Sequence, residues 1–351
     1  MLHKVMILMI LSLLLTSCGV PVISKQSAAS SPSQKVQLTG TGSTFVAPLL
    51  SEVFSDFYKF TSIQVNYQAI SSGGGIGQLI AKTVNFGATD VPFNRIEMQS
   101  AVNSGGKVVE MPITLGAVAM VYHLPQVHTP LRMNGSLIAN IFLGKIRRWN
   151  DASIARLNPG VKLPSLPIRV IYRSDASGTT YQFTDYLNRV SPVWKKYVGV
   201  GKAVSWPVGS GGKGNAGIAM AVRAIPGAIS YLEYSFALSS HLQYGELENR
   251  SGAFIFPSVS SIAAAANHFQ TITPTDFSIV NAAGVQSYPI CAYSWVAFYR
   301  RQQNPVVKTE LKQMLNWLVV KGQQNARRLG YVPLPNRIRH ADLSLLRRNW
   351  G

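Results

Sequence analysis

The sequence predicts an α/β protein whose body is divided into two lobes or domains. Three observations predict it. Short runs of β-branched and aromatic residues alternate with segments of helical spacing. The turns between them are rich in Gly, Ser and Thr. A chain of 351 residues also exceeds what one hydrophobic core usually organises. An apolar content of 47% against 13% charged residues argues for a packed chain rather than a disordered one.

The N-terminus reads as an address. Met1-Leu-His-Lys4 is a basic start, and Val5 to Leu15 is an apolar run broken only by Ser12. That pattern predicts a secretory signal peptide over residues 1–17, too short to span a membrane comfortably. Leu15-Thr16-Ser17-Cys18 resembles the bacterial lipobox, which implies cleavage before Cys18 and a mature chain that begins at a diacylated cysteine. Residues 19–36 are dominated by Ser, Ala and Pro, so 18–36 is expected to be the lipidated cysteine and a flexible tether.

The body follows in alternation. Ile63-Gln-Val-Asn-Tyr-Gln-Ala-Ile70 alternates as a strand does, and Ile76, Leu79 and Ile80 carry helical spacing. Leu115–Tyr122 and Ile168–Tyr172 are buried-strand runs, and Tyr181–Val190 is helical. Lys145, Arg147, Arg148 and Trp149 are expected on a helix as ordinary amphipathic packing, not as a nucleic-acid patch. No internal repeat and no second long apolar span occurs.

Three segments stand out: Thr39-Gly-Thr-Gly-Ser-Thr-Phe45, Ser71-Ser-Gly-Gly-Gly-Ile76 and Arg173-Ser-Asp-Ala-Ser-Gly-Thr179. Each is read as a loop between a strand and a helix. Amides at a helix start are unpaired and carry the positive end of the dipole. Small residues let an anion approach them, and hydroxyls add donors. One such loop is routine capping; three of them, one with an arginine, form a constellation for a tetrahedral oxyanion. Arg173 and Asp175 have the spacing of a loop brace. A fourth segment, Trp206 to Asn215, contains a formal GxGxxG from Gly209 to Gly214, but lacks a suitably placed acid and a clear βαβ setting for a dinucleotide.

The remaining chemistry is sparse. Cys18 and Cys291 make no disulfide framework, and Cys291, in an apolar run, is expected to be a buried structural thiol. The six histidines show no metal-ligand spacing, so neither a metal nor a cofactor is expected. The net charge is +19, with eleven Lys/Arg and two acids from Arg300 onward, read as the solvated face of C-terminal helices.

These segments, in this order, resemble the phosphate-binding protein of the bacterial phosphate ABC transporter, the PstS family. The matching stretches include Leu38-Thr-Gly-x-Gly-Ser-Thr-Phe45, Ser72-Gly-Gly and Phe86-Gly-Ala-Thr-Asp-Val-Pro92. Leu143-Gly-Lys-Ile-x-x-Trp149-Asn, Arg173-x-Asp-x-Ser-Gly-Thr179, Trp206-Pro-x-Gly-x-Gly-Gly-Lys-Gly-Asn215, Pro226-Gly-Ala-Ile-x-Tyr231 and Leu329-Gly-Tyr-x-Pro-Leu-Pro335 match as well.

The resemblance implies a two-lobed periplasmic-binding-protein fold of type II, with hinge strands and a ligand cleft between lobes. Lobe one would combine 37–116 with 288–351, and lobe two would run 117–287. The implied phosphate ligands are Thr44, the Phe45 amide, Ser72, Asp90, Arg173, Ser177, Gly178 and Thr179, with Asp175 supporting the Arg173 fork. Asp90 is the odd member, a carboxylate facing an anion. It makes physical sense if the ligand carries a proton, because hydrogen phosphate can donate to it and sulfate cannot.

The implied partners are inorganic phosphate, the permease subunits of an ABC importer and the membrane through the anchor; the protein would be an extracytoplasmic monomer that binds no nucleic acid. A phosphate-sensing or surface-adhesion lipoprotein of the same fold is the alternative. A phosphatase is disfavoured, because no metal-ligand cluster or GxSxG nucleophile appears.

Overall fold

A computed structural model describes residues 37–350. The expected signal peptide, Cys18 and the tether lie outside the described residues.

The first part of the chain alternates without exception. It runs β1 (Leu38–Gly42), α1 (Ala47–Thr61), β2 (Val65–Ala69), α2 (Ser72–Ile80), β3 (Phe86–Thr89), α3 (Arg95–Gly105) and β4 (Val108–Tyr122). The middle contributes α4 (Gly135–Phe142), β5 (Arg169–Arg173), α5 (Gly178–Val190), β6 (Ser210–Gly212), α6 (Gly214–Ala224), β7 (Ala228–Glu233) and α7 (Tyr234–Ser239). The return segment is β8 (Cys291–Tyr299), α8 (Pro305–Val320) and α9 (Asn336–Trp350).

Local chemistry explains the boundaries that matter. Pro48 opens α1, where its missing N–H costs nothing, and Ser62 ends it in the left-handed region at φ 60°. Leu49, Leu50, Val53, Phe54 and Phe57 give α1 one buried face. Asn94 and Glu97 close a reciprocal capping box on α3.

The main sheet runs β2-β1-β3-β8-β4-β7-β5-β6, with the short strand Gln243–Tyr244 also paired to β4. Pairs among β1, β2 and β3 are parallel, as are those among β5, β6 and β7. The two parallel groups are joined through antiparallel β8 and β4. β4 is the seam: residues from Val108 to Ala117 pair with β8, those from Val118 to Tyr122 pair with β7, and all fifteen are buried. In such sheets ligands collect outside the carboxyl ends of the parallel strands.

Several expectations need correction. Thr39 to Gly42 belong to β1 rather than to a loop, and the chain turns only over Ser43–Val46. The Ser72-Gly-Gly-Gly run is the first turn of α2, capped by Ser71, and not a loop before it. Glycine's poor helix propensity hides this. Its backbone is needed: a Cβ at Gly75 would lie 2.5 Å from the Gly42 Cα. Lys145–Trp149 are not helical; they form the turn after α4, with Trp149 buried and its Nε1 donating to the Gly227 carbonyl at 2.9 Å. Leu115–Tyr122 is the second half of a strand that begins at Val108.

Cys291 is buried in β8, and burial pushes its thiol well above the ordinary range. The cations Arg300, Arg301, Lys308, Arg347 and Arg348 are solvent-exposed, in the turn after β8 and on the terminal helices. Among the described residues no helix is long and apolar enough to cross a membrane, and no cluster of metal-ligating side chains occurs.

Candidate functional site

The singled-out residues converge at the carboxyl ends of five strands. β1 delivers Ser43, Thr44 and Phe45, β2 delivers Ser71 and Ser72, and β3 delivers Asp90. From the other parallel group, β5 delivers Arg173 through Thr179, and β6 delivers Gly214 and Asn215.

Asp90 is the centre, with 1% of its surface exposed. Its Oδ2 accepts from Ser43 Oγ at 2.6 Å and from Ser72 Oγ at 3.2 Å, and its Oδ1 accepts from Ser294 Oγ at 2.8 Å. Burial outweighs the hydrogen bonds from Ser43, Ser294 and Ser72 and the Arg173 charge, and lifts the carboxyl above its ordinary range. The hydrogen count decides the state. Ser72 Oγ already accepts from the Asp90 and Gly178 amides, both at 3.2 Å, so its hydrogen is directed at the carboxyl. Three hydroxyls aimed at one carboxyl group describe a carboxylate, with acceptor capacity left for one more donor.

Arg173 is built in from the other side. Its amide donates to Tyr231 Oη at 3.0 Å, and Tyr231 stacks on Phe183 at 4.3 Å between ring centroids. Its Nε donates to Asp175 Oδ1 at 2.8 Å, and Nη2 pairs with Asp175 Oδ2. Its Nη1 donates to Thr179 Oγ1 at 3.2 Å. Asp175 thus takes the Nε edge of the guanidinium and leaves its terminal end for other acceptors. Partial burial raises the Asp175 carboxyl, but the Arg173 ion pair and the Gly214 amide outweigh it and hold it below the usual range.

Helix α5 begins against this group. Ser177 caps it, accepting from the Thr180 amide at 3.2 Å. Gly178 touches both partners: a Cβ there would lie 2.6 Å from Asp90 Oδ2 and 2.6 Å from Ser72 Oγ. Of the first amides of α5, Gly178 donates to Ser72 Oγ and Thr180 to Ser177 Oγ, which leaves the Thr179 amide, beside the Thr179 hydroxyl that meets Arg173, as the donor open to an anion.

The first turn behaves differently from expectation in one respect. The Phe45 amide, implied as a phosphate donor, donates to Ser43 Oγ at 3.0 Å. Thr44 Oγ1 accepts from Asn215 through its amide at 3.2 Å and its Nδ2 at 2.9 Å, which leaves the threonine hydrogen to be donated.

All nine residues, Thr44, Phe45, Ser72, Asp90, Arg173, Asp175, Ser177, Gly178 and Thr179, therefore belong to one linked group. Sequence reasoning missed Ser43, Gln182, Asn215 and Ser294. Gln182 Nε2 donates to the Asp90 carbonyl at 2.8 Å. Ser43 and Asn215 lay inside quoted motifs. Ser294 pairs with Thr114 at the register shift between β8 and β4, where Ile113 is the extra residue before the Trp295–Pro112 pair, and its hydroxyl meets Asp90. Pro112 within a buried strand was the available signal.

Comparisons with known proteins agree in kind. The family model of the PBP superfamily domain matches residues 27–321. The phosphate-binding protein PstS of Xylella fastidiosa (strain 9a5c) is 39% identical over 305 residues, covering 86% of this chain and 82% of that protein. The phosphate-binding protein PstS of Haemophilus influenzae is 40% identical over 305 residues, covering 86% and 90%. Among solved structures, a high-affinity periplasmic phosphate-binding protein (PfluDING) bound with phosphate superposes with a TM-score of 0.72 at 19% identity, covering 88% of this chain and 93% of that one. A putative phosphate ABC transporter substrate-binding protein from Clostridium perfringens with bound phosphate gives 0.62 at 14% identity, covering 86% and 100%. At those identities the structures speak for the fold.

Proposed function

This chain belongs to the PstS family of phosphate-binding proteins, within the PBP superfamily, and from that premise we propose that it binds inorganic phosphate outside the cytoplasmic membrane and hands it to an ABC-type import permease. The observation that carries the ligand assignment is the pairing of Arg173 with Asp90 across one site. The guanidinium, the Thr44 hydroxyl and the Thr179 amide at the start of α5 offer donors to an anion. Asp90, held as a carboxylate by three serine hydroxyls, asks that anion for a hydrogen. Hydrogen phosphate meets both demands. Sulfate meets the first and leaves Asp90 facing an oxygen. Thr44, Phe45, Ser72, Asp90, Arg173, Ser177, Gly178 and Thr179 are the proposed phosphate ligands, and Asp175 the brace; the Phe45 amide, the Gly178 amide and the Ser72 hydroxyl would exchange their bonds within the protein for phosphate oxygens.

Two lobes, 37–116 with 288–351 and 117–287, would open about β4 and β8. Contacts that would break on opening are present. The Gly73 amide donates to the Ala176 carbonyl at 2.9 Å, Asn215 Nδ2 donates to Thr44 Oγ1 at 2.9 Å, and Lys202 pairs with Glu97. Ligand touching both lobes favours the closed state, which the permease would recognise. No covalent chemistry is required, so the reading is a receptor and not an enzyme. The lipid anchor at Cys18 is part of the proposal and is checked by mass spectrometry of the membrane fraction; an N-terminus carrying no acyl chains would overturn it.

The binding test is calorimetric titration of phosphate-stripped protein with phosphate and then sulfate at neutral pH. One-to-one binding of phosphate with little response to sulfate is expected. Tight sulfate binding would remove Asp90 from its role, and silence toward both would remove the receptor reading.

A further inference from the structure

Behind the first turn lies a second buried carboxyl group that the phosphate reading does not use. Glu233 ends β7 with none of its surface exposed. Its Oε2 is in hydrogen-bond contact with Ser235 Oγ and accepts from the Phe236 amide at 3.3 Å. Ser235 Oγ meets Tyr331 Oη at 2.9 Å, and Tyr331 Oη donates to the Phe45 carbonyl at 2.6 Å. A second path leaves the same residue: the Glu233 amide donates to Asn215 Oδ1 at 3.2 Å, and Asn215 Nδ2 holds Thr44 Oγ1. The Glu233 carboxyl thus stands behind Phe45, while its backbone amide, whatever the charge of the side chain, stands behind Thr44.

Counting hydrogens fixes its state. Tyr331 has two acceptors within reach, the Phe45 carbonyl at 2.6 Å and Glu233 Oε2 at 3.4 Å, and spends its single hydrogen on the nearer, the Phe45 carbonyl. Ser235 has one hydrogen and two oxygen neighbours, Tyr331 and Glu233. If Glu233 were a carboxylate, Ser235 would turn its hydrogen to it, and the contact with Tyr331 would hold no hydrogen. If Glu233 carries a proton, every link is filled in one direction, from Glu233 to Ser235 to Tyr331 to the Phe45 carbonyl. Oε1 of Glu233 has no partner among the described residues, an arrangement a buried carboxylate tolerates badly.

We infer that Glu233 is a positioning residue for the phosphate site, its protonated carboxyl acting through Ser235 and Tyr331 on Phe45. The inference rests on the phosphate reading. Burial pushes the Glu233 carboxyl up to about 8, the polar contacts with Ser235 and Phe236 notwithstanding, and the Asp90 charge adds to the rise. Asp90 is the charged group that faces it, and the phenols of Tyr331 and Tyr234 lie beside it. A bound phosphate brings more negative charge to the same side, so ligand and proton strengthen each other's hold, as linkage requires.

The test is phosphate calorimetry on wild type, Glu233→Gln and Tyr331→Phe at pH 7, 8 and 9. Glutamine keeps a donor toward Ser235 at every pH, and both proteins share the titration of phosphate itself. The affinity of Glu233→Gln relative to wild type should therefore rise about tenfold from pH 7 to pH 9. Tyr331→Phe cuts the relay, so its own affinity relative to Glu233→Gln should be lower at all three pH values. A ratio of Glu233→Gln to wild type that stays constant with pH overturns the inference. If wild type binds no phosphate at any pH, the phosphate reading itself fails. The relay is then judged on the ligand-free protein by carbon-13 carboxyl shifts: a glutamate titrating near pH 8 and missing from Glu233→Gln supports it, and no such glutamate overturns it.

Discussion

Asp90 and Glu233 are both buried carboxyl groups behind the same turn, and burial pushes both of them up. Their surroundings nevertheless assign them different protonation states, Asp90 charged and Glu233 neutral. Asp90 receives three serine hydroxyls and sits within the field of Arg173. Glu233 has the Ser235 hydroxyl, the Phe236 amide and a long contact from Tyr331 Oη at 3.4 Å, all on one oxygen, and a second oxygen with no partner among the described residues. Burial sets the direction of each shift; the number of donors sets which form the site holds. An anion site can thus keep one carboxylate charged to read a proton on its ligand, and another neutral to brace the loop that meets the ligand.

Breaking the first half of this contrast should give the largest effect. Asp90→Asn replaces the acceptor by an amide that can donate to any oxyanion. The preference for phosphate over sulfate should fall by roughly 100-fold or more, mostly through gained sulfate affinity. Competition calorimetry reads it. A preference that survives the substitution would mean that proton reading happens elsewhere in the site.

The second half has a signature in stability that needs no ligand. Glu233 holds its proton to about pH 8 when folded, against an ordinary 4.5. Between those values the unfolded chain releases a proton that the folded chain keeps, so stability declines as pH rises across that window and levels off above it. Glu233→Gln removes this contribution. Its unfolding midpoint in urea should fall less than that of wild type between pH 5 and pH 8. Glu110 and Asp342, raised by burial to about 7 and about 8, add declines of the same sign to both proteins and cancel in the comparison. Parallel curves would show that Glu233 is ionised in the fold.

The same contrast shows what could be read from the sequence. Asp90, Ser72, Arg173 and the Ser177–Thr179 run were legible because each lies where a strand gives way to a helix at the carboxyl edge of a parallel group. That switch leaves a local trace of small and hydroxyl residues. The alternating order of strands and helices was legible for the same reason. The extent of β4 was not, since Pro112 interrupts the pattern of a strand whose fifteen residues are all buried. Glu233, Tyr331 and Ser294 left no such trace. They reach the site through the β4 seam and the C-terminal return, from 98 positions apart for Glu233 and Tyr331 and 204 for Asp90 and Ser294. Only pairing register brings those positions together.

Ser294 offers the finest adjustment of the comparison, because removing it moves Asp90 one step toward the situation of Glu233. Ser294→Ala deletes the donor at Oδ1 and leaves Ser43 and Ser72 at Oδ2. A lost hydrogen bond to a buried charged group costs about 1.5–3 kcal/mol, roughly ten- to a hundredfold in affinity if the whole cost falls on the bound state. Asp90 is shared by free and bound protein, so the expected loss lies at the lower end, about tenfold. The carboxyl should also rise further, and binding needs it ionised. The deficit of Ser294→Ala relative to wild type should therefore widen as pH falls from 7 to 5. Calorimetry at the two pH values reads that widening. A deficit that is the same at both would make Ser294 a packing residue of the β8 irregularity, and would leave Ser43 and Ser72 as the pair that keeps Asp90 charged.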